Sequence, residues 1–290
     1  MAGIIDLVGN TPLVEIQRLN PNPNVKIYAK LEGNNPGGSV KDRAALNMIK
    51  SAVERGDIKP GMRLVEATSG NTGIALAMIA RLFDIEIELV MPANSTRERT
   101  LTMEALGARV VLLEDIEKCR DYAEEKGASG DYLLLNQFAN ADNYLAHYKT
   151  TGPEIWRDTH HQVTHFVSSM GTTGTIMGTS MYLKEQNPDI QIVGCQPTEG
   201  SSIPGIRRWP EAYLPKIFNP ERVDRVIDVS QEDATLTTRK LAKVEGIFAG
   251  MSSGGACYAA LKLAAELECG TIVFIACDRG DRYLSSDLFG

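Results

Sequence analysis

The sequence predicts an α/β fold of two lobes, and three observations carry that reading. Short runs rich in β-branched residues alternate with longer runs of helical period. Gly, Pro or Ser often closes the short runs. The chain has 290 residues, which at roughly 150 residues per domain suggests two lobes around substantial cores.

Taken in order, Val25–Leu31 reads as a strand, and Val40–Arg55, apolar at i, i+3 and i+4, as a helix. Strand Arg63–Ala67 leads to helix Thr72–Phe83, strand Ile85–Met91 to helix Thr96–Leu106, and strand Arg109–Leu113 to helix Ile116–Lys126. Tyr144–His160 also reads as helical, and a domain change falls within it near residues 145–152. Strand His165–Ser169 leads to helix Gly174–Gln186, followed by strands Ile190–Cys195 and Arg225–Val229. Helices Gln231–Glu245 and Ser253–Leu267 precede a last strand, Thr271–Cys277. Strand and helix in alternation imply largely parallel sheets covered by helices on both faces. The least regular stretch, Pro197–Pro220, holds Gly200, Pro204, Gly205, Pro210 and Pro215, and a loop that long is more often functional than idle.

Composition narrows the function. Lys+Arg 30 against Asp+Glu 37 leaves a net charge of −7, which argues against nucleic acid or an anionic membrane as principal partner. Residues 1–8 lack a basic n-region, and no apolar run approaches the ~20 residues that cross a bilayer, so the reading is cytoplasmic. Five scattered cysteines, Cys119, Cys195, Cys257, Cys269 and Cys277, form no CxxC pair and fit reduced thiols. His160, His161 and His165 read as surface or helix-end residues, and no metal is expected.

Three segments share one design, a strand running into a glycine- and hydroxyl-rich loop that opens a helix: Glu66-Ala-Thr-Ser-Gly-Asn-Thr-Gly73, Ser168-Ser-Met-Gly-Thr-Thr-Gly-Thr175 and Gly250-Met-Ser-Ser-Gly-Gly255. Such loops bind anions through first-turn N–H groups and the helix dipole. Each alone is equally consistent with ordinary Ser/Thr capping. Three in one chain favour a small ligand with at least two charged ends. GxxxxGK[ST] is absent, and no GxGxxG follows the first strand, so kinase and dehydrogenase readings drop.

In Asn34-Asn-Pro-Gly-Gly-Ser-Val-Lys-Asp-Arg43, Pro36 and the glycines build a turn, Ser39 is a good N-cap, and Lys41 falls in the first helical turn. A cation there opposes the macrodipole. The residues leave two readings open: Lys41 points to solvent or pairs with Asp42, or its amine is neutral often enough to attack a carbonyl and form an imine.

Gly9-Asn-Thr-Pro-Leu13, Lys30 to Arg43, Ala67-Thr-Ser-Gly-Asn-Thr-Gly-Ile74, Gly171-Thr-Thr-Gly-Thr175 and Ser252-Ser-Gly-Gly255 together resemble the cysteine synthases, the O-acetylserine sulfhydrylases of fold type II among pyridoxal-phosphate enzymes. The match runs in order from about Ile4 to Phe289. Gly194-Cys-Gln-Pro197, Gly200 to Pro210 and Cys277-Asp-Arg-Gly-Asp-Arg-Tyr-Leu-Ser285 are similar to the B isozymes rather than the A isozymes. The longer tail typical of the A isozymes is lacking after Phe289, which puts tail-dependent closure or assembly in question.

The resemblance implies two domains, each a largely parallel twisted sheet flanked by helices. The smaller spans residues 35–145; the larger combines 1–34 with 146–290. It implies pyridoxal 5′-phosphate held covalently by Lys41, its phosphate cradled by Gly171, Thr172, Thr173, Gly174 and Thr175, and Asn71 against its 3′ oxygen. Thr68, Ser69, Gly70 and Thr72, with Gln137, would grip the substrate α-carboxylate. For the pyridine nitrogen there are two neutral candidates, Ser252 and Cys277, of which the hydroxyl is the better hydrogen-bond partner. Arg207 and Arg208, beside Trp209, would attract an anionic sulfur donor. The implied reaction is β-replacement: O-acetyl-L-serine with sulfide, or thiosulfate, gives L-cysteine, or S-sulfocysteine, and acetate. A homodimer is implied as well. The competing readings are a serine/threonine dehydratase or cystathionine β-synthase on the same cofactor, and a non-catalytic amino-acid-binding protein.

Overall fold

The computed structural model describes residues 3–290 apart from Ser69, Asn94 and Thr96. Two sheets organise it. The four-stranded one is entirely parallel, in the order β5-β4-β3-β6, from β3 (Arg63–Ala67), β4 (Ile87–Pro92), β5 (Arg109–Leu113) and β6 (Tyr132–Leu134). The six-stranded one runs β1-β2-β10-β7-β8-β9, from β1 (Leu13–Glu15), β2 (Val25–Leu31), β7 (His165–Ser169), β8 (Gln191–Pro197), β9 (Arg225–Val229) and β10 (Gly270–Ala276). All its pairs are parallel except β1 with β2.

Both faces of both sheets are covered, which is why these strands read as apolar runs. On one face of the four-stranded sheet, Leu64, Leu89 and Met91 meet Ala45, Met48 and Ile49 of α1 (Lys41–Arg55) and Leu76 and Ile79 of α2 (Asn71–Leu82). On the other, Val65, Ala67 and Val90 meet Cys119 and Ala123 of α4 (Ile116–Ala128), while α3 (Arg97–Ala105) contributes Met103 to the first face. In the six-stranded sheet the period of two divides neighbours. Val167 and Val193 join Ala256 and Ala260 of α9 (Met251–Glu266) and Ala234 of α8 (Gln231–Lys240); Phe166 and Ile192 join Ile155 of α6 (Thr151–Asp158) and Ile176 and Met177 of α7 (Gly174–Gln186). The ninth helix in the described residues, α5 (Ala141–Lys149), packs on α7 and α1.

The structure amends the sequence reading at several points. The three-residue strands β1 and β6 had no counterpart in it, being too short to show a period. Gln231–Glu245 is not one helix: α8 ends at Lys240, and Leu241–Glu245 continues as a wider π-helical turn closed by the left-handed Gly246, φ 73°. Ser39 is not the N-cap. That position is Val40, and the Ser39 hydroxyl accepts the Lys41 N–H at 3.2 Å from one residue further back.

Helix caps divide by location. Asp115, Asn140 and Ser230 cap α4, α5 and α8 with their side chains. The helices α1, α2, α7 and α9, which begin at the sequence motifs singled out above, have no side-chain cap.

Candidate active site

Lys41 is the first residue of α1 and is half-buried. The Val40 N–H donates to the Cys277 carbonyl at 2.8 Å, and Ser39 bridges Asp278, so the start of α1 is tied to the segment leaving β10. Lys41 does not pair with Asp42, whose carboxylate turns back to accept the Gly37 N–H at 2.5 Å. Burial lowers the Lys41 amine below the ordinary lysine value, with Cys277 and Asp278 pulling the other way. The Cys277 thiol is itself pushed up to about 11 by burial, so at neutral pH it is uncharged and its pull on the amine is absent.

The expected phosphate cradle follows β7. Thr173 sits in the left-handed region, φ 70°, and opens α7. Its hydroxyl is buried without a hydrogen-bond partner among the described residues. An uncapped helix N-terminus with an unsatisfied buried hydroxyl is what a bound dianion would complete. The backbone here has no room for side chains: a Cβ on Gly171 would lie 2.8 Å from the Gly205 carbonyl oxygen, and one on Gly174 would lie 2.1 Å from Asn143 Oδ1. The residues present therefore fit a phosphate-bearing cofactor. Thr175 reaches the Nε2 of His147 at 3.3 Å, while the His147 Nδ1 is 2.8 Å from Thr151 Oγ1. Burial pushes His147 down to about 3, so the ring is neutral.

The substrate loop follows β3. The Thr72 hydroxyl donates to Gln137 Oε1 at 2.8 Å, both residues buried, and Thr68 Oγ1 accepts the Gly70 N–H at 3.3 Å. Three of the expected substrate residues in this loop, with Gln137, are thus brought together; Ser69 lies outside the described residues. Asn71 is already engaged on two sides. Its Nδ2 donates to Asp278 at 2.7 Å, and its Oδ1 accepts from Arg282, which also donates to the Gly37 carbonyl. Among the described residues one amide hydrogen of Asn71 has no partner.

Ser252 and Cys277 are neighbours: the Ser252 side chain hydrogen-bonds Cys277, while Ser253 Oγ accepts the Cys277 N–H at 2.8 Å. Ser252 is also 3.4 Å, at Oγ, from where a Cβ on Gly205 would stand, which places both candidates beside the loop that meets Gly171.

The two loop arginines part company. The Arg207 N–H donates to the Met170 carbonyl at 2.8 Å, at the edge of the cradle. Its exposed guanidinium donates to the Ile206 carbonyl, with no carboxylate partner among the described residues; surrounding protein lowers its pKa by desolvation. Arg208 is not brought to the cradle. Its Nε donates to the Pro197 carbonyl at 2.8 Å and its Nη2 to Asp228 of β9 at 2.5 Å, so the salt bridge turns it outward. Trp209 fastens the loop by donating from Nε1 to the Gly171 carbonyl at 2.7 Å and packing edge-on against Phe138, centroids 5.6 Å apart.

Sequence reasoning missed several contributors. Asn143 donates to the Gln137 carbonyl at 2.7 Å and to Thr172 at 3.3 Å, joining the substrate loop to the cradle. No local signal marks it. Glu66, a carboxylate inside the apolar strand Arg63–Ala67, could have been flagged by that anomaly alone. A buried ion cluster around Arg43, also on α1, was missed too. Arg43 bonds Glu32 through Nε and Nη2, at 2.7 and 2.8 Å, and Glu154 through Nη1 and Nη2, both at 2.7 Å. Lys30 bonds Glu154 and the Thr11 carbonyl at 2.7 and 2.6 Å.

Residues 4–278 match the family described as pyridoxal-phosphate dependent enzyme. Over 289 residues the chain is 59% identical to cysteine synthase B of Pseudomonas aeruginosa, covering 99% of this chain and 97% of that protein. It is 56% identical to cysteine synthase B of Escherichia coli K12, covering 100% of this chain and 97% of that one. Among solved structures, O-acetyl serine sulfhydrylase isoform 3 from Entamoeba histolytica superposes with a TM-score of 0.94 at 37% identity, covering 100% of this chain and 91% of that one.

Proposed function

This chain belongs to the pyridoxal-phosphate dependent enzyme family, and from that membership we propose a reading of its reaction and of the residues that perform it. It is a pyridoxal-phosphate-dependent cysteine synthase, converting O-acetyl-L-serine and sulfide to L-cysteine and acetate. The observation that carries the assignment of residues is the Lys41 amine, lowered by burial, held by β10's exit in a site that also has an uncapped α7 with the unpartnered Thr173 hydroxyl.

Pyridoxal phosphate supplies an electron-withdrawing ring that stabilises negative charge at the substrate Cα. Lys41 would hold it covalently through its side-chain amine. The same amine, when free, would remove the Cα proton as general base and return it. The N–H groups at the start of α7, with Thr172, Thr173 and Thr175, hold the phosphate. Thr68, Ser69, Gly70, Thr72 and Gln137 hold the α-carboxylate, and Asn71 meets the cofactor's 3′ oxygen. Ser252 is the favoured partner of the pyridine nitrogen, since a hydroxyl outranks a thiol as hydrogen-bond partner. Acetate leaves Cβ in the first half of a ping-pong cycle, and the sulfur nucleophile adds there in the second.

Within this reading residues 35–145 form the smaller domain, supported by the confinement of the four-stranded sheet to residues 63–134. The enzyme works as a homodimer in the cytoplasm. Among the described residues no helix is long and apolar enough to cross a membrane.

Added to the holoenzyme, O-acetylserine shifts the cofactor's visible absorbance, and the shift holds until sulfide restores the starting spectrum. Pyruvate released as fast as O-acetylserine is consumed would mark a dehydratase and refute the assignment.

Thiosulfate serves as a second donor, giving S-sulfocysteine, and the cation that draws it is Arg207. The salt bridge of Arg208 to Asp228 leaves its neighbour as the guanidinium of the two that has no carboxylate partner among the described residues. Arg207→Ala is expected to lower kcat/KM for thiosulfate about tenfold, with much smaller loss for sulfide, while Arg208→Ala leaves both nearly unchanged. Parallel steady-state kinetics check this. Equal losses for the two donors would count against it.

A further inference from the structure

Glu66 lies in β3, two residues ahead of Thr68, and is 2% exposed. A carboxylate buried this deeply ordinarily has a basic partner. Here its hydrogen bonds come from backbone. The Asn136 N–H donates to Oε2 at 2.9 Å and the Gln137 N–H to Oε1 at 3.3 Å. Arg120 of α4 attracts it without a hydrogen bond among the described residues. Burial, opposed by those two N–H groups and Arg120, pushes the carboxyl up to about 7. A fold that needed only to fill this space would do so at lower cost with an apolar side chain.

What the two oxygens hold is the turn after β6. Asn136 is in the left-handed region, φ 54°, which an asparagine tolerates but does not prefer. The next two side chains serve the site. Gln137 accepts the Thr72 hydroxyl at Oε1, which turns its amide hydrogens away from Thr72, and its carbonyl accepts from Asn143, which also reaches Thr172. The Phe138 ring meets Trp209 edge-on while Arg120 lies 5.4 Å from the ring centroid.

We propose that Glu66 is a positioning residue of the first half-reaction: by clamping the Asn136 and Gln137 N–H groups, it aims the Gln137 amide at the α-carboxylate of O-acetylserine without touching the substrate. The inference rests on the reading that Gln137 grips that carboxylate. Glutamine at position 66 is isosteric but presents one acceptor and one NH2, and the NH2 would face a backbone donor, so one strand of the clamp is lost.

The test uses holoenzyme carrying Glu66→Gln, with Gln137→Ala in parallel. For Glu66→Gln, kcat/KM for O-acetylserine falls about tenfold while cofactor absorbance and Tm stay close to wild type. Since sulfide enters only in the second half-reaction, its kcat/KM stays within about twofold. A merely structural role would lower both half-reactions and the cofactor content together, and that result overturns the proposal, as does no change in either. If Gln137→Ala lowers kcat/KM for O-acetylserine and Glu66→Gln does not, the clamp is wrong and the reading of Gln137 stands. If Gln137→Ala changes nothing, that reading fails and the clamp falls with it. Should Glu66→Gln not fold, amide hydrogen exchange in the wild-type holoenzyme decides. Protection at both Asn136 and Gln137 supports the clamp, and rapid exchange at both refutes it.

Discussion

Lys41→Ala abolishes the covalent attachment of pyridoxal phosphate and lowers turnover by roughly 10³-fold or more, the combined loss of a nucleophilic amine and a general base. No substitute amine is at hand in the neighbouring strand. Lys30 is fully buried and committed to Glu154, Asp158 and the Thr11 carbonyl. The cradle is untouched by the substitution, so the variant still takes up the cofactor through its phosphate, without the visible band of the covalent form. Hydride trapping followed by peptide mass spectrometry checks the attachment. An adduct on any other lysine of the wild-type protein, or near-normal turnover in the variant, would remove Lys41 from its role.

Arg43→Met is the substitution with the largest expected effect on stability. Arg43 satisfies both Glu32 and Glu154 through four contacts of 2.7 to 2.8 Å, and Glu32 is fully buried. Burial raises the Glu32 carboxyl, but Arg43, Thr11 and Lys30 outweigh it and hold the group below its ordinary value. Glu154 is raised by burial and pulled down further by Arg43 and Lys30, to about 2. Removing the guanidinium strands two carboxylates with one lysine, at a cost of about 3–5 kcal/mol. Denaturant unfolding near pH 7 measures it.

The pH dependence supplies a second check. A carboxylate whose folded pKa is depressed contributes stability that is complete above its unfolded value, near 4.5 for Glu154, and is lost as pH falls toward about 2. In wild type that contribution disappears across this acid window. In Arg43→Met the share that Arg43 supplies is already missing while Lys30 keeps its own, so the deficit relative to wild type is greatest near neutrality and narrows in acid. A deficit below about 1 kcal/mol, the range of exposed ion pairs, would show that the cluster does not behave as a buried one. So would a deficit independent of pH.

Much of the architecture was legible in the chain. Strands at 25–31, 63–67, 109–113, 165–169 and 225–229 stand where the β-branched runs placed them, and helix 174–186 matches its apolar period at both ends. These signals are local: period two and period 3.6 each register within a few residues. Taken singly, the three loops were legible as anion-binding or as capped, and only their recurrence favoured the first. The structure adds that α2, α7 and α9 have no side-chain cap, the Ser253 hydroxyl being turned to the Cys277 N–H, which supports the first reading.

By itself, then, the sequence determined the α/β alternation, the motifs that identify the family, and the lysine at the head of the first helix. Tertiary structure alone decided which groups surround that lysine. It separated Arg207 from Arg208 by pairing one of two adjacent, chemically identical residues with Asp228. It also gathered Lys30, Glu32, Arg43 and Glu154 from distant stretches into one cluster, and set Glu66 beneath Gln137. The physical reason is range. Periodicity and turn chemistry act between neighbours along the backbone, whereas ion pairing and desolvation act between whatever the packed chain brings within a few ångströms.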